Sequence, residues 1–279
     1  MTLLLVGLCG AVLARIAQLG IGQALAASRA AEDLQQRWAR QSCQLQLLPR
    51  AEWLIESAAA ATEQDKLGWP FPATVESRFG LGQIKCEVVL ADEEARPNLN
   101  LLHAEQPQQT MLVASSPFRG TYSRPLAVKL SPALVTPNAP EARCFNSWGQ
   151  VYDLASAGTD IRSLRAPAFE LTCWGSRRLN VARASDAAIE LVSRLALNGG
   201  DVQSLVEARA GYAGDLNEIL KQLDIPGPKK VRLRRLLTDR SSCYSMWLAM
   251  TRGDRTSAML AVHDAGRRDI PATIAFYWP

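Results

Sequence analysis

Few residues in this chain could do chemistry. His103 and His263 are the only histidines among 279 residues, and neither sits in a cluster. That removes most imidazole-based metal binding and acid–base catalysis. The six cysteines, Cys9, Cys43, Cys86, Cys144, Cys173 and Cys243, show no C-x-x-C spacing. Neither a zinc site nor a redox pair is indicated. Cys9 lies in an apolar segment. Of the other five, one must stay unpaired even in an oxidising compartment, and buried thiols are an equal alternative to disulfides. Asp92, Glu93 and Glu94 form the only acidic triplet. Adjacent acids form a solvated turn more often than a ligand set, so calcium is left open and no cofactor is assigned. No G-x-S-x-G, H-E-x-x-H or phosphate-loop pattern occurs, and "GLGQIK" and "GIGQAL" fall short of G-x-G-x-x-G. The expectation is a protein that is not an enzyme and has no small-molecule substrate.

The elements around these residues are better marked. Apolar residues make up 48% of the chain, enough for a packed core, and the net charge of +4 is too weak to argue for a polyanionic partner. "MTLLLVGLCGAVLA" is uncharged to Ala14; Arg15 interrupts, and "IAQLGIGQALAAS" runs on to Ser28. Nothing basic precedes the apolar run, as a secretory signal would require. A lipoprotein signal wants a small residue before the cysteine, where Leu8 stands. A membrane span of about 20 residues is reached only if Arg15 snorkels or is buried against a partner. Leu34, Trp38, Leu45 and Leu48 continue at helical spacing until Pro49. This predicts one long helix, greasy first and amphipathic later. Such a helix suits a membrane anchor that becomes a fibre core; a plain signal anchor is the alternative.

"AEWLIESAAAATEQDK" predicts a second helix with Trp53, Leu54 and Ala58 on one face. "ATVESRFGLGQIKCEVVLADEE" predicts two strands about "GLG", with Ile84, Cys86, Val88 and Leu90 alternating. From His103 to Arg143 the composition reads as loops, with one strand-like patch at "LAVKL". Helices follow: one after Asn146 as N-cap with Gly158 as stop, one after Ser185 ending at Gly199–Gly200, one from Asp201, and two about "IPG". Three strands close the chain, over Tyr244–Thr251, Arg255–His263 and Ala272–Trp278, the first two joined by "RGDR". Strands on both sides of a helical block predict one sheet with a helical domain inserted.

"MTLLLV", "GLGQIKCEVVLADEEARPNLNLL", "FNSWGQVYDLAS" with "LTCWGSRRLNVARASDAAIELV", and "SSCYSMWLAM" with "TSAMLAVHDAG" occur in this order. With them the chain resembles the minor pseudopilin K family of type II secretion systems, also called general secretion pathway protein K. The resemblance implies an α+β, pilin-like fold: a long N-terminal hydrophobic helix packed on an antiparallel sheet, with an inserted α-helical domain of helix-hairpin-helix or SAM-like type. The boundaries expected are 1–28 for the membrane and pilus-core helix, 29–95 with 241–279 for the pilin-like domain, and 96–240 for the insert, loose over 104–143. It implies a single-pass inner-membrane protein with its C-terminal domain in the periplasm and a methylated amino terminus. Its role would be at the pseudopilus tip, initiating or capping assembly and supporting protein export. Its partners would be the other minor pseudopilins and the major pseudopilin.

Most pilins carry glutamate at the fifth mature position, and K proteins lack it. With Met1 as mature first residue, Leu5 stands there. A buried carboxylate is costly unless a neighbour's ammonium pairs it, so a subunit with nothing above it is better served by leucine. Met1, Leu3, Leu4, Leu5, Val6 and Leu8 are the expected assembly residues, with Arg15 meeting an acid on a neighbouring helix. The family's acidic block in the insert is replaced here by the Pro-rich stretch.

Two "LN" segments, "RPNLNLL" and "RRLNVARASD", are expected to hinge the insert through Asn98, Leu99, Asn100 and Asn180. The rival reading is a membrane-anchored, helix-hairpin-helix DNA-binding protein of competence-receptor type. It rests on "LNVARASDAAIELVSRLALNGGDVQSLVEARAG" and on Lys229, Lys230, Arg232, Arg234 and Arg235. Its bland counterpart is a solvated basic helix face.

Overall fold

The computed structural model describes residues 2–63, 73–116, 126–131, 145–154, 162–211, 215–253, 255–266 and 273–278. The chain divides into two compact units, Met1–Leu45 and Gln46–Pro279. The boundary expected at residue 28 falls inside an unbroken helix.

That helix, α1, runs Thr2–Leu47, 46 residues, or about 70 Å at 1.5 Å per residue. No proline and no acidic residue interrupts it before Glu32. Leu8, Val12, Leu13, Ile16, Leu19, Ile21 and Leu25 are all more than half exposed. At 100° per residue these positions point all round the axis, so this stretch is apolar on every side. One helical stretch, beginning at Leu8, is long and apolar enough to cross a membrane by length and composition, with a mean hydropathy of 1.4 over its best window and none of that window buried. Further along, amphipathic character sets in. Ala39 and Cys43 are buried, while Leu34, Trp38 and Leu45 form an exposed stripe.

In the second unit, Pro49 sits in a 3-10 turn, Leu48–Arg50, that ends α1. Helix α2, Ala51–Glu63, follows at once. Its buried face carries Ala51 and Ile55, one turn apart and fully covered, whereas Trp53 is 62% exposed. Of the residues expected on one face, Trp53 is exposed while Leu54 and Ala58 are half-buried. The smaller residues fit the close approach to the sheet.

Strand β1, Thr74–Leu81, and strand β2, Ile84–Asp92, form a hairpin. Its turn needs Gly82 at φ +61°. After Asp92 the chain enters a 3-10 turn, Glu93–Ala95, and then a helical lobe. The lobe holds α3 (Leu99–Glu105), α4 (Pro107–Ser115), α5 (Trp148–Val151), α6 (Arg162–Glu170), strand β3 (Leu179–Asn180), α7 (Asp186–Ser193), α8 (Gly199–Gly211), α9 (Leu216–Gln222), α10 (Gly227–Leu236) and strand β4 (Leu237–Thr238). β3 and β4 pair in parallel. The chain then returns as β5 (Cys243–Arg252), β6 (Arg255–Asp264) and β7 (Thr273–Trp278).

The main sheet has the order β1-β2-β5-β6-β7, antiparallel throughout. β2 and β5 are direct neighbours, with Asp92 opposite Tyr244. The whole helical lobe thus enters and leaves between two adjacent strands. Helix α2 lies against β1, β2 and β5. The α+β class, the long N-terminal apolar helix, the antiparallel sheet and the inserted helices are as expected. A continuous apolar core runs from the lobe, through Leu99, Phe145, Trp148, Tyr152, Trp174 and Ile189, to Leu260 and Val262 of β6.

Three local expectations are corrected. The stretch expected to be loose from residue 104 continues α3 to Glu105 and carries α4, because Pro107 occupies a first-turn position where its missing N–H is harmless. Ser147, not Asn146, stands at the cap of α5; the expected stop at Gly158 lies outside the described residues. Gly199 and Gly200 open α8 instead of ending α7, since the Asn198 side chain accepts from the Asp201 N–H at 3.0 Å and caps the new helix. Within the expected loop, Val128 bridges Tyr152, so the "LAVKL" patch does pair.

Candidate functional site at the neck of the helical lobe

The lobe joins the sheet through a narrow set of polar residues, and all of them are buried. Asp92, Glu93, Glu94, Arg96, Asn98, Asn100, Thr172 and Asn180 are each no more than 4% exposed. Burying three consecutive acids is tolerable only if every oxygen meets a donor. Here each does.

Asp92 Oδ1 accepts from the Glu94 N–H at 2.9 Å. Its Oδ2 accepts from Ser241 Oγ at 2.7 Å and from Arg183 Nη1 at 3.2 Å, with Asn180 Nδ2 at 3.5 Å. Burial pushes the Asp92 carboxyl up to about 6; Ser241 and Arg183 hold it down, and Glu94 adds to the rise. Glu93 accepts from Arg96 Nη1 at 3.2 Å and from the Thr172 hydroxyl. Glu94 Oε1 takes the Ser176 N–H at 2.6 Å, and its Oε2 takes the Ser242 N–H at 2.6 Å. Arg183 spans two elements, donating to Asp92 and, at 2.8 Å, to Glu56 of α2. The expectation of a solvated acidic turn is corrected by this burial.

The triplet's oxygens are thus spent on protein N–H and O–H groups. They do not fit a calcium site, which wants six or more oxygens turned on one centre. Among the described residues no group of three His, Cys, Asp or Glu converges on one point.

The three asparagines work beside the acids. Asn98 caps α3, its Oδ1 accepting from Asn100 N at 2.8 Å and from Leu101 N at 3.4 Å, while Nδ2 donates to the Trp174 carbonyl. Asn100, inside the first turn, bonds three backbone groups: Nδ2 donates to the carbonyls of Phe145 at 2.9 Å and Cys173 at 2.8 Å, and Oδ1 accepts from Phe145 N at 2.7 Å. Asn180 Oδ1 accepts from Ala182 N at 2.9 Å, and its Nδ2 donates to Ser241 at 2.7 Å. Leu99 is fully buried beside them. All four expected hinge residues therefore lie at or near the neck, in fixed hydrogen-bonded positions.

Gly175 makes the loop to Glu94 feasible. Its φ is +85°, and a Cβ there would stand 2.8 Å from Glu94 Cγ. The glycine lets the next N–H, that of Ser176, reach the carboxylate. Gly175, Arg96, Arg183, Thr172, Ser241 and Ser242 were not legible as site residues. The available signal was a strand running from "VVLA" straight into three acids with no turn residue between.

The expected assembly residues occupy the other unit. Met1 and the side chains of Leu3, Leu4, Leu5 and Val6 lie outside the described residues; Leu8 is 66% exposed. Arg15 is exposed on the same helix. Of the basic run, Lys229 is bound to Asp201 at 2.7 Å and Arg232 to Glu105 at 2.9 Å. Those cations answer acids within the lobe. Cys9 and Cys86 carry free thiols.

No family model and no curated protein matches the chain. Among solved structures, it is similar to a chain in the crystal structure of the GspK-GspI-GspJ complex from the enterotoxigenic Escherichia coli type 2 secretion system. The TM-score is 0.46 and the identity 15%, over 90% of this chain and 99% of that one.

Proposed function

We propose that this chain is a minor pseudopilin of K type, acting at the tip of a type II secretion pseudopilus. Its part is structural and non-enzymatic. The amino-terminal helix holds the subunit in the inner membrane, single-pass, with the second unit in the periplasm, and later packs among sister helices. Other minor pseudopilins are its partners in a tip complex, and the major pseudopilin extends the filament below it.

The single observation that carries this reading is a combination within one chain. A helix apolar on all sides at its amino end leads a chain in which a large helical lobe forms the connection between the paired neighbouring strands β2 and β5. An apolar helix supports lateral packing in lipid or fibre. A lobe far larger than a hairpin loop obstructs stacking of a further subunit. Leu5, with no carboxylate to seek a neighbour's ammonium, agrees with a terminal position.

The test has two arms. Minor pseudopilins co-expressed with this chain should co-purify with it from detergent. Leu5→Glu should impair secretion while the protein still accumulates in the membrane. Normal secretion by that variant, or no co-purifying pseudopilin, would contradict the reading.

A further inference from the structure

Beside the neck lies a cavity of about 670 Å³, between the start of β1, the end of α4, the end of α6 and the start of α7. That volume is within the range of sites that hold a small ligand or a side chain. Its walls are largely apolar, with Val113, Leu171, Ala187 and Leu191 among them, and its polar groups include Arg96, Arg183 and Glu170.

The charges in this wall do not balance. Arg96 is already matched by Glu93, and Arg183 by both Asp92 and Glu56. Glu170 has no hydrogen bond or ion pair among the described residues. Glu170 is exposed at the cavity's edge, and partial burial raises its carboxyl above the ordinary range. Arg96 is 4% exposed, and its Nη2 has no acceptor among the described residues. Among the described residues, this wall therefore holds a carboxylate and a guanidinium N–H without partners, set among aliphatic side chains.

We propose that this cavity is a socket for a basic residue presented by a partner polypeptide. The aliphatic stem of a lysine or arginine lies along Val113, Leu171 and Leu191, its cation pairs with Glu170, and a peptide carbonyl beside it takes the free proton of Arg96. A lone carboxylate ligand fits poorly, because both guanidiniums are already engaged by acids. A bare metal ion fits poorly as well, since among the described residues no group of three His, Cys, Asp or Glu gathers at Glu170 or elsewhere.

The test uses the full chain in detergent micelles, with Ac-Ala-Lys-Leu-NH2 as probe and the same peptide with norleucine for lysine as control. The lysine peptide should bind with a Kd of about 1 mM or tighter, and the norleucine peptide at least about tenfold more weakly, near 1.4 kcal/mol. Replacing lysine by arginine in the probe should retain binding. Glu170→Gln, an exposed position whose change spares the neck, should lower affinity to that of the norleucine peptide. Ala187→Trp, also exposed, should fill the cavity and abolish binding while Glu170 remains. Equal binding of both peptides, unchanged affinity in Glu170→Gln, or no binding by the unaltered chain would each overturn the proposal.

Discussion

At the residue scale, the neck shows how a run of acids can be an internal fastener. Asp92, Glu93 and Glu94 reach donors contributed by Thr172, Ser176, Arg183, Ser241 and Ser242, all remote in sequence. Gly175→Ala should destabilise by about 2 kcal/mol or more, read by chemical denaturation, because its backbone angle and the Glu94 contact both exclude a Cβ. Asn100→Ala should cost about 3 kcal/mol, since three buried backbone groups lose their partner together. Asp92 adds a pH dependence whose sign follows from its raised value of about 6. The folded chain takes up a proton there before the unfolded chain does, near 3.9. The stabilisation from protonation is therefore full below about pH 4 and lost as pH rises through 6, a span of roughly 3 kcal/mol. Comparing unaltered chain and Asp92→Ala, the gap in unfolding free energy should widen on going from pH 7 to pH 4. A constant gap would place the titration elsewhere.

At the element scale, much was legible. The alternation of Ile84, Cys86, Val88 and Leu90 marks β2, and the Ser185 cap marks α7. The hairpins and the paired helices about "IPG" also follow from local signals. The burial of the acidic triplet was not legible, because its cause lies in loops far along the chain, and periodicity carries no information about them. Which face of α2 meets the sheet was not legible, because grouping Trp53, Leu54 and Ala58 on one face does not say what covers it; the site nearest the sheet takes Ala51 and Ile55. Helix α4 was hidden by proline and glutamines that read as loop, although proline in a first turn is compatible with helix. Ile55→Ala should destabilise by about 3 kcal/mol, while Trp53→Ala should change stability by less than about 1 kcal/mol, both by denaturant titration.

At the scale of the whole molecule, the sheet is continuous across β2 and β5, and the lobe grows from the chain connection between these two neighbouring strands. A buried neck whose carboxylate oxygens all meet donors means that the lobe is held firmly where it leaves β2 and rejoins β5. Under the proposed function, such a subunit would end or begin a filament rather than repeat within one. On the same reading, the amino-terminal helix, apolar on every side near its start, would supply the lateral surface for packing with the others. The most direct measurement is the number of copies of this chain per assembled pseudopilus, counted by fluorescent labelling on filaments sorted by length. One copy per filament, located at an end and independent of length, is the predicted result. A copy number that rises in proportion to length would contradict the tip role.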